Sequence, residues 1–232
     1  MINPNKVFNP KDYEDDKLLE IKAKFELVYA NLAENKIAFE YSDWNRAWEY
    51  GQLILNTLPQ YKRVLDVGSG KSLFPIFLSR YYKAKVSSVD VEDVQDRYKL
   101  YGFCEQDIDV IKANACELPF KDNEFDVVYM ASVIEHISDF WIAMSEASRV
   151  CRSGGFIGIT TDYTHDQSTI ISHKSGKTYD QKSIEDFVRV LKTQKVPVEL
   201  VSPIDFSTDL TNPDNRAVKG EYTFISLIFK NL

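Results

Sequence analysis

The sequence predicts an α/β protein: a single doubly wound, mostly parallel seven-stranded sheet preceded by an N-terminal helical cap. Two patterns and the chain length carry that expectation. Short apolar runs that stop at turn residues alternate with longer runs whose apolar side chains recur at helical spacing. Strands that alternate with helices pair in parallel through right-handed crossovers. The 232 residues suit one large α/β domain.

The elements follow in order. Residues 1–16 are polar, contain Pro4 and Pro10, and read as partly loose. Over residues 17–32, Leu18, Ile21, Phe25, Val28 and Leu32 share one helical face, with Asp15 and Asp16 as caps. A second helix over about 43–58 carries Trp44, Ala47, Trp48, Gly51, Ile54, Leu55 and Leu58 in one stripe, between Ser42 as N-cap and Pro59. These helices form a cap or lid segment, 1–60, ahead of a sheet domain, 61–232. Residues 63–67 are a buried strand that stops at Gly68, and residues 72–82 a helix with Pro75 in its first turn.

Residues 85–90, 109–113 and 125–130 are the next three strands, with a helical stretch through Tyr101 between the first two. A helix over 139–150 is broken by Gly154-Gly155, and 156–160 is the fifth strand. The stretch 161–182 is polar and reads as a long loop. Ser183 to Asp186 has the form of a capping box that opens a helix to about Gln194. Residues 198–201 and 222–229 close the sheet, with a turn at Asn212-Pro213-Asp214-Asn215 between them.

Composition narrows the function. Hydrophobic content of 44% and charged content of 27% are ordinary globular values. A net charge of −7 gives no general attraction for phosphate backbones, so no nucleic-acid partner is expected. Cys104, Cys116 and Cys151 form no Cys-x-x-Cys pair, so neither a metal site nor a disulfide framework is expected. The first residues lack a signal peptide's apolar core, and no apolar run reaches the roughly 18 residues of a membrane span. A cytoplasmic location is expected.

Two phosphate-site motifs fail their structural context. Gly70-Lys71-Ser72 suggests a phosphate loop, but the required upstream glycine is Leu65, inside the strand. Gly68-x-Gly70 half-matches the dinucleotide fingerprint, but Leu73 stands where a small third residue belongs.

A longer constellation is more specific. Asp66-x-Gly68-x-Gly70 ends the first strand and Asp90 the second. Asn114-Ala115-x-x-Leu118-Pro119-Phe120 follows the third. Phe125 to Val128 opens the fourth, which leads to Glu135-His136, and Arg149-Val150-x-x-x-Gly154-Gly155 precedes the fifth. This series, over roughly residues 64–160, resembles the class I S-adenosylmethionine-dependent methyltransferases, particularly the group acting on small molecules and glycans. The resemblance implies S-adenosylmethionine as cofactor and a Rossmann-like sheet.

It also implies roles. Asp66, Gly68, Ser69 and Gly70 would cradle the methionine half, Asp90 would take the ribose hydroxyls, and Val91 would cover the adenine. Asn114, where many relatives have Asp, and Ala115 would meet the adenine edge; Met130 and Ala131 would lie close by. Ser72 can cap the following helix, and Lys71 adds positive charge near a cationic cofactor. Bland roles stand beside these: Asp90 as a helix cap and Asn114 as a turn residue.

Methyl transfer needs alignment above all, and a hydroxyl acceptor also needs a base. His136, just past the fourth strand, and Asp162 and His165, after the fifth, are the candidate catalytic residues; His173 reads as surface. Tyr41, Arg46 and Tyr163 are candidate acceptor contacts, while the Trp stripe reads as core. Motifs for methylating DNA bases are absent. The expected reaction is methylation of an O or N of a small molecule or sugar/glycan intermediate. The alternatives are a non-catalytic cofactor binder of the same fold and, further off, an NAD-type oxidoreductase. A small-molecule or sugar acceptor and a second copy in a homodimer are the expected partners.

Overall fold

The computed structural model describes residues 3–34, 46–57, 63–70, 72–92, 108–164, 176–208 and 222–232. The seven expected strands are present: β2 (Arg63–Val67), β3 (Lys85–Asp90), β4 (Ile108–Lys112), β5 (Phe125–Ala131), β6 (Cys151–Tyr163), β7 (Val198–Leu200) and β8 (Thr223–Asn231). An eighth, β1 (Lys6–Val7), is added by the N-terminal segment. The order is β1-β8-β6-β5-β2-β3-β4, with β7 also on β8. The pairs among β2 to β6 are parallel, and β8 runs antiparallel to β6, β7 and β1.

The sheet is covered on both faces, as a parallel sheet requires. One face packs against α1 (Asp16–Glu34), α2 (Arg46–Thr57) and α3 (Phe74–Tyr82) through Phe25, Leu53, Ile54, Phe74 and Phe77. The other packs against α4 (Phe140–Val150) and α5 (Gln181–Thr193) through Ala143, Met144, Ala147, Ile184 and Phe187. The first two helices thus fill a layer of the fold. Trp48 is fully buried, core as expected.

Three local expectations change. The N-terminal segment is ordered from long-range contacts, not loose. Asn5 is buried, accepts from Ile228 N at 2.6 Å and donates to the Ser202 carbonyl. A 3-10 turn (Pro10–Glu14), capped by Asn9, presents Asp12 to Trp48 Nε1 at 2.8 Å and to Lys6 Nζ at 2.5 Å. The α5 capping box is Asp180 with Ser183 at N3, three residues earlier than the sequence suggested. Gly154-Gly155 sits inside β6, in a bulge against β5, where a Cβ on Gly155 would lie 2.6 Å from the Asp126 carbonyl oxygen. The expected helical stretch through Tyr101 and the turn at Asn212 lie outside the described residues.

Candidate functional site

The chain leaves the carboxyl ends of β2 and β5 toward opposite edges of the sheet, and open α/β sheets bind ligands at such a switch point. A cleft of about 670 Å³ opens there. Val67, Gly68 and Gly70 form one wall, Asp90, Val91 and Glu92 the next, and Ala113 to Cys116 the far end. The segment after β5 closes it with Ser132, Val133 and residues 136–139.

The two loop glycines are needed for different reasons. Gly68 has φ +69°, and a Cβ there would sit 2.5 Å from Val133 Cγ2. Gly70 has φ +48° but open space around it, so only its backbone conformation demands glycine. The loop is tied to β3: Gly68 N and Ser69 N donate to the Val89 carbonyl at 2.8 and 3.1 Å. Gly70 N donates to Asp90 Oδ2 at 2.7 Å, and Ser88 Oγ donates to Ser69 Oγ at 2.6 Å. Ser72, expected to cap the helix that follows, stands one residue before its N-cap Leu73, and its Oγ accepts from Phe74 N at 2.9 Å.

Asp90 therefore does two jobs. Its Oδ1 accepts from Glu92 N at 3.0 Å, closing a turn, while Oδ2 braces the glycine loop; the helix it was expected to cap lies outside the described residues. Each carboxylate oxygen keeps a lone-pair site for a ligand hydroxyl. Asn114 likewise makes its turn, accepting from Cys116 N at 2.9 Å through Oδ1, and lines the cleft. That turn is held by α4. Glu146 accepts from Leu118 N, and Arg149 donates to the carbonyls of Leu118 and Phe120 at 3.0 and 2.8 Å. The Leu-Pro-Phe and Arg-Val parts of the sequence constellation are this clamp.

Beyond the cleft lies a buried polar junction. Glu49, fully buried, accepts from Arg46 Nη1 at 2.8 Å, from Ser132 Oγ at 2.8 Å and from Thr160 Oγ1 at 2.6 Å. Ser132 lines the cleft with φ +52°, a left-handed conformation that a serine adopts at a cost of order 1 kcal/mol. Next to it, Glu135 accepts from Thr161 Oγ1 at 3.0 Å. Burial, then the neighbouring Asp162 carboxylate, push the Glu135 carboxyl up to about 8. Tyr50, one turn after Arg46, pairs its hydroxyl with Ser72 Oγ at 2.9 Å, and burial raises its pKa to about 12.

The expected site residues divide accordingly. Gly68, Gly70, Asp90, Val91, Asn114, Ala115 and His136 line the cleft, His136 exposed and packed near Gly176. Asp66 and Ser69 are buried beneath it. Met130 is turned into the core, and Ala131 packs on the α1–α3 side, so neither lines the cleft wall. Tyr163, expected at the acceptor, is fully buried and stacks on Phe206, because strand alternation sends it to the face opposite Thr160 and Asp162. Tyr41, Lys71, His165 and His173 lie outside the described residues. The sequence reading missed Glu49 and Ser132. An Arg-Glu pair at i, i+3 in an apolar helix was the available signal for Glu49; nothing local marks Ser132.

Comparison with known proteins agrees with this geometry. A family described as "Methyltransferase domain" matches residues 65–159. An uncharacterised methyltransferase of Schizosaccharomyces pombe is 28% identical over 57% of this chain and 51% of its own length. A demethylmenaquinone methyltransferase of Bacillus pumilus is 24% identical over 62% and 63%. The chain thus covers about half to three fifths of these relatives. Among solved structures, geranyl diphosphate methyltransferase in complex with SAM superposes with a TM-score of 0.60 at 14% identity, covering 80% of this chain and 83% of that one. The 4+2 cyclase SpnF does so with 0.62 at 18%, covering 82% and 84%, and so shares the fold. Sheet order, cleft position and the match over residues 65–159 agree in giving this part of the chain the likeness of a class I S-adenosylmethionine-dependent methyltransferase domain, whose cofactor is S-adenosylmethionine.

Proposed function

We propose that the protein transfers a methyl group to an oxygen or nitrogen of a small polar molecule, of the sugar or glycan-intermediate class, in the cytoplasm. The observation that carries this is the single cleft joining the glycine loop, Asp90 and Asn114-Ala115 at the switch point. Its residues suit the cofactor. The space beside Gly70 admits the methionine half, and Asp90 offers carboxylate lone pairs at ribose height. Asn114 and the Ala115 N–H meet the adenine edge, and Val91, well exposed, covers its face. Bound S-adenosylmethionine supplies a methyl group already activated by its sulfonium.

The chain's own part is alignment and proton handling. The segment 1–60 covers the acceptor side, and 61–232 holds the cofactor. Arg46 orients the acceptor. His136, and with it Asp162 and His165, would take the proton of a hydroxyl acceptor, an effect of about 10²–10⁴ in rate. The buried junction of Glu49, Ser132, Thr160 and Glu135 favours a polar acceptor over an apolar one.

The test is incubation with methyl-tritiated S-adenosylmethionine and fractionated polar metabolites. Label should move to a low-mass polar species, and Asp90→Ala should abolish the transfer. Transfer only to apolar lipids or to nucleic acid would contradict the acceptor class. S-adenosylmethionine binding without transfer to any fraction would favour the non-catalytic binder.

A further inference from the structure

The backbone of Gly176 lies directly against the His136 ring. A Cβ on Gly176 would sit 2.7 Å from His136 Nδ1, 2.8 Å from Cε1 and 3.3 Å from the Glu135 carbonyl oxygen. Gly68, Gly70 and Gly154 have positive φ, and Gly176 does not. Space alone, and not backbone conformation, therefore calls for glycine at this position.

The segment that carries Gly176 cannot withdraw from the ring. Lys177 N donates to the Glu135 carbonyl at 3.1 Å, one residue before His136. Tyr179 N donates to the Asp162 carbonyl at 2.9 Å, and Thr164 N to the Tyr179 carbonyl at 2.7 Å. Tyr179 is buried, with its hydroxyl donating to the Ile134 carbonyl at 3.3 Å, and Asp180 caps α5. Residues 176–180 thus form a strap pinned to the end of β6, to the turn Ile134–His136 and to a helix.

His136 itself is exposed and lines the cleft, on a 3-10 turn whose last N–H bonds the Val133 carbonyl at 3.0 Å. An exposed side chain of this kind exchanges among staggered rotamers unless something blocks them. The strap covers the Nδ1–Cε1 edge and removes the orientations that would sweep through Gly176. The rotamer freedom is then lost on folding and not when a ligand binds.

We propose that Gly176 is a positioning residue: its bare backbone seats the His136 imidazole at the cleft wall, so that the ring meets a ligand in one orientation. The effect of this seat on methyl transfer rests on the role given to His136 above; the seat itself does not.

The first readout is a through-space cross-peak between His136 Hε1 and the Gly176 α-protons in carbon-13-edited spectra of the whole chain, with the ring signal identified by its loss in His136→Ala. The cross-peak is expected, and its absence overturns the proposal. The second is a double-mutant cycle on transfer of label from methyl-tritiated S-adenosylmethionine to the polar metabolite fraction. Gly176→Ala should slow transfer about tenfold or more, as misplacement of a reacting group does, and should change it by under about twofold when His136→Ala is already present. Equal slowing in both backgrounds, or none in the parent, overturns the proposal. Should Gly176→Ala alone fail to fold, the double variant should fold, because the ring is gone; failure of both would place the need for glycine in the contact with Glu135 and overturn the proposal. Transfer by His136→Ala at the parent rate contradicts the role given to His136, and absence of transfer to any fraction contradicts the methyltransferase reading; in either case the cross-peak decides the seat.

Discussion

The two ends of the site are built differently. At the end formed by Asp90 and Asn114, proposed for the adenosine, each of these side chains closes a turn with a near neighbour: Asp90 Oδ1 takes the N–H two residues on, as does Asn114 Oδ1, and the longest reach is Asp90 Oδ2 to Gly70 N across 20 positions. At the Arg46 end, the contacts join residues far apart in the chain, Ser132 to Glu49 across 83 positions and Thr160 to Glu49 across 111. The first end is a set of turns that form locally and present lone pairs outward. The second exists only once α2 has docked on β5 and β6. A substitution at the adenosine end should cost ligand affinity with little loss of stability, and one at the Arg46 end should cost stability first.

The largest expected effect is Glu49→Ala. It leaves the Arg46 charge and the Ser132 and Thr160 hydroxyls without their acceptor. Breaking a buried pair costs about 3–5 kcal/mol, and the exposure of Arg46 argues for about 3. Urea unfolding should show that loss, with Tm falling by roughly 6–12 °C at the usual response of a chain this long. A change under about 1 kcal/mol would mean that the junction does not hold α2 in place.

The glycine pair sharpens the contrast. Gly68→Ala meets both an unfavourable φ and the Val133 side chain, so it should cost about 2–3 kcal/mol and disturb the cleft. Gly70→Ala meets only the backbone penalty, about 1 kcal/mol, with its Cβ in open space. Equal losses in the two variants, by chemical denaturation, would contradict the packing of Val133 on the loop.

The smallest expected effect concerns pH. The Glu135 carboxyl titrates near 8 in the fold against an ordinary value of 4.5, so between those values the folded state holds more protons. Its contribution is full below about 4.5 and is lost as pH rises through about 8, making the fold less stable on the alkaline side. Glu135→Gln should remove that part of the pH dependence. Between pH 6 and 9 the unfolding midpoint of the variant should fall less than that of the parent. An unchanged slope would place the proton elsewhere.

The same division explains what the sequence disclosed. β2, β3 and the glycine loop were legible because short apolar runs and turn residues carry their own geometry. Asp90 and Asn114 were legible because each closes a turn with a residue two positions away. The order of the N-terminal segment was not, since Asn5 finds its partner 223 positions away in β8. Ser132 carries no local sign of its left-handed backbone, which the Thr160 carbonyl and Glu49 impose. Tyr163 was misjudged because position in a loop-like stretch was weighed above strand alternation: β6 runs on to that residue and turns it into the core.

The most direct test of the account is calorimetric titration of the protein with S-adenosylmethionine and S-adenosylhomocysteine, alongside Asp90→Ala. Micromolar binding of both ligands, weakened at least tenfold or about 1.4 kcal/mol by the substitution without loss of fold, is the predicted result. Absence of heat with either ligand, or equal affinity in the variant, would contradict the assignment of this cleft.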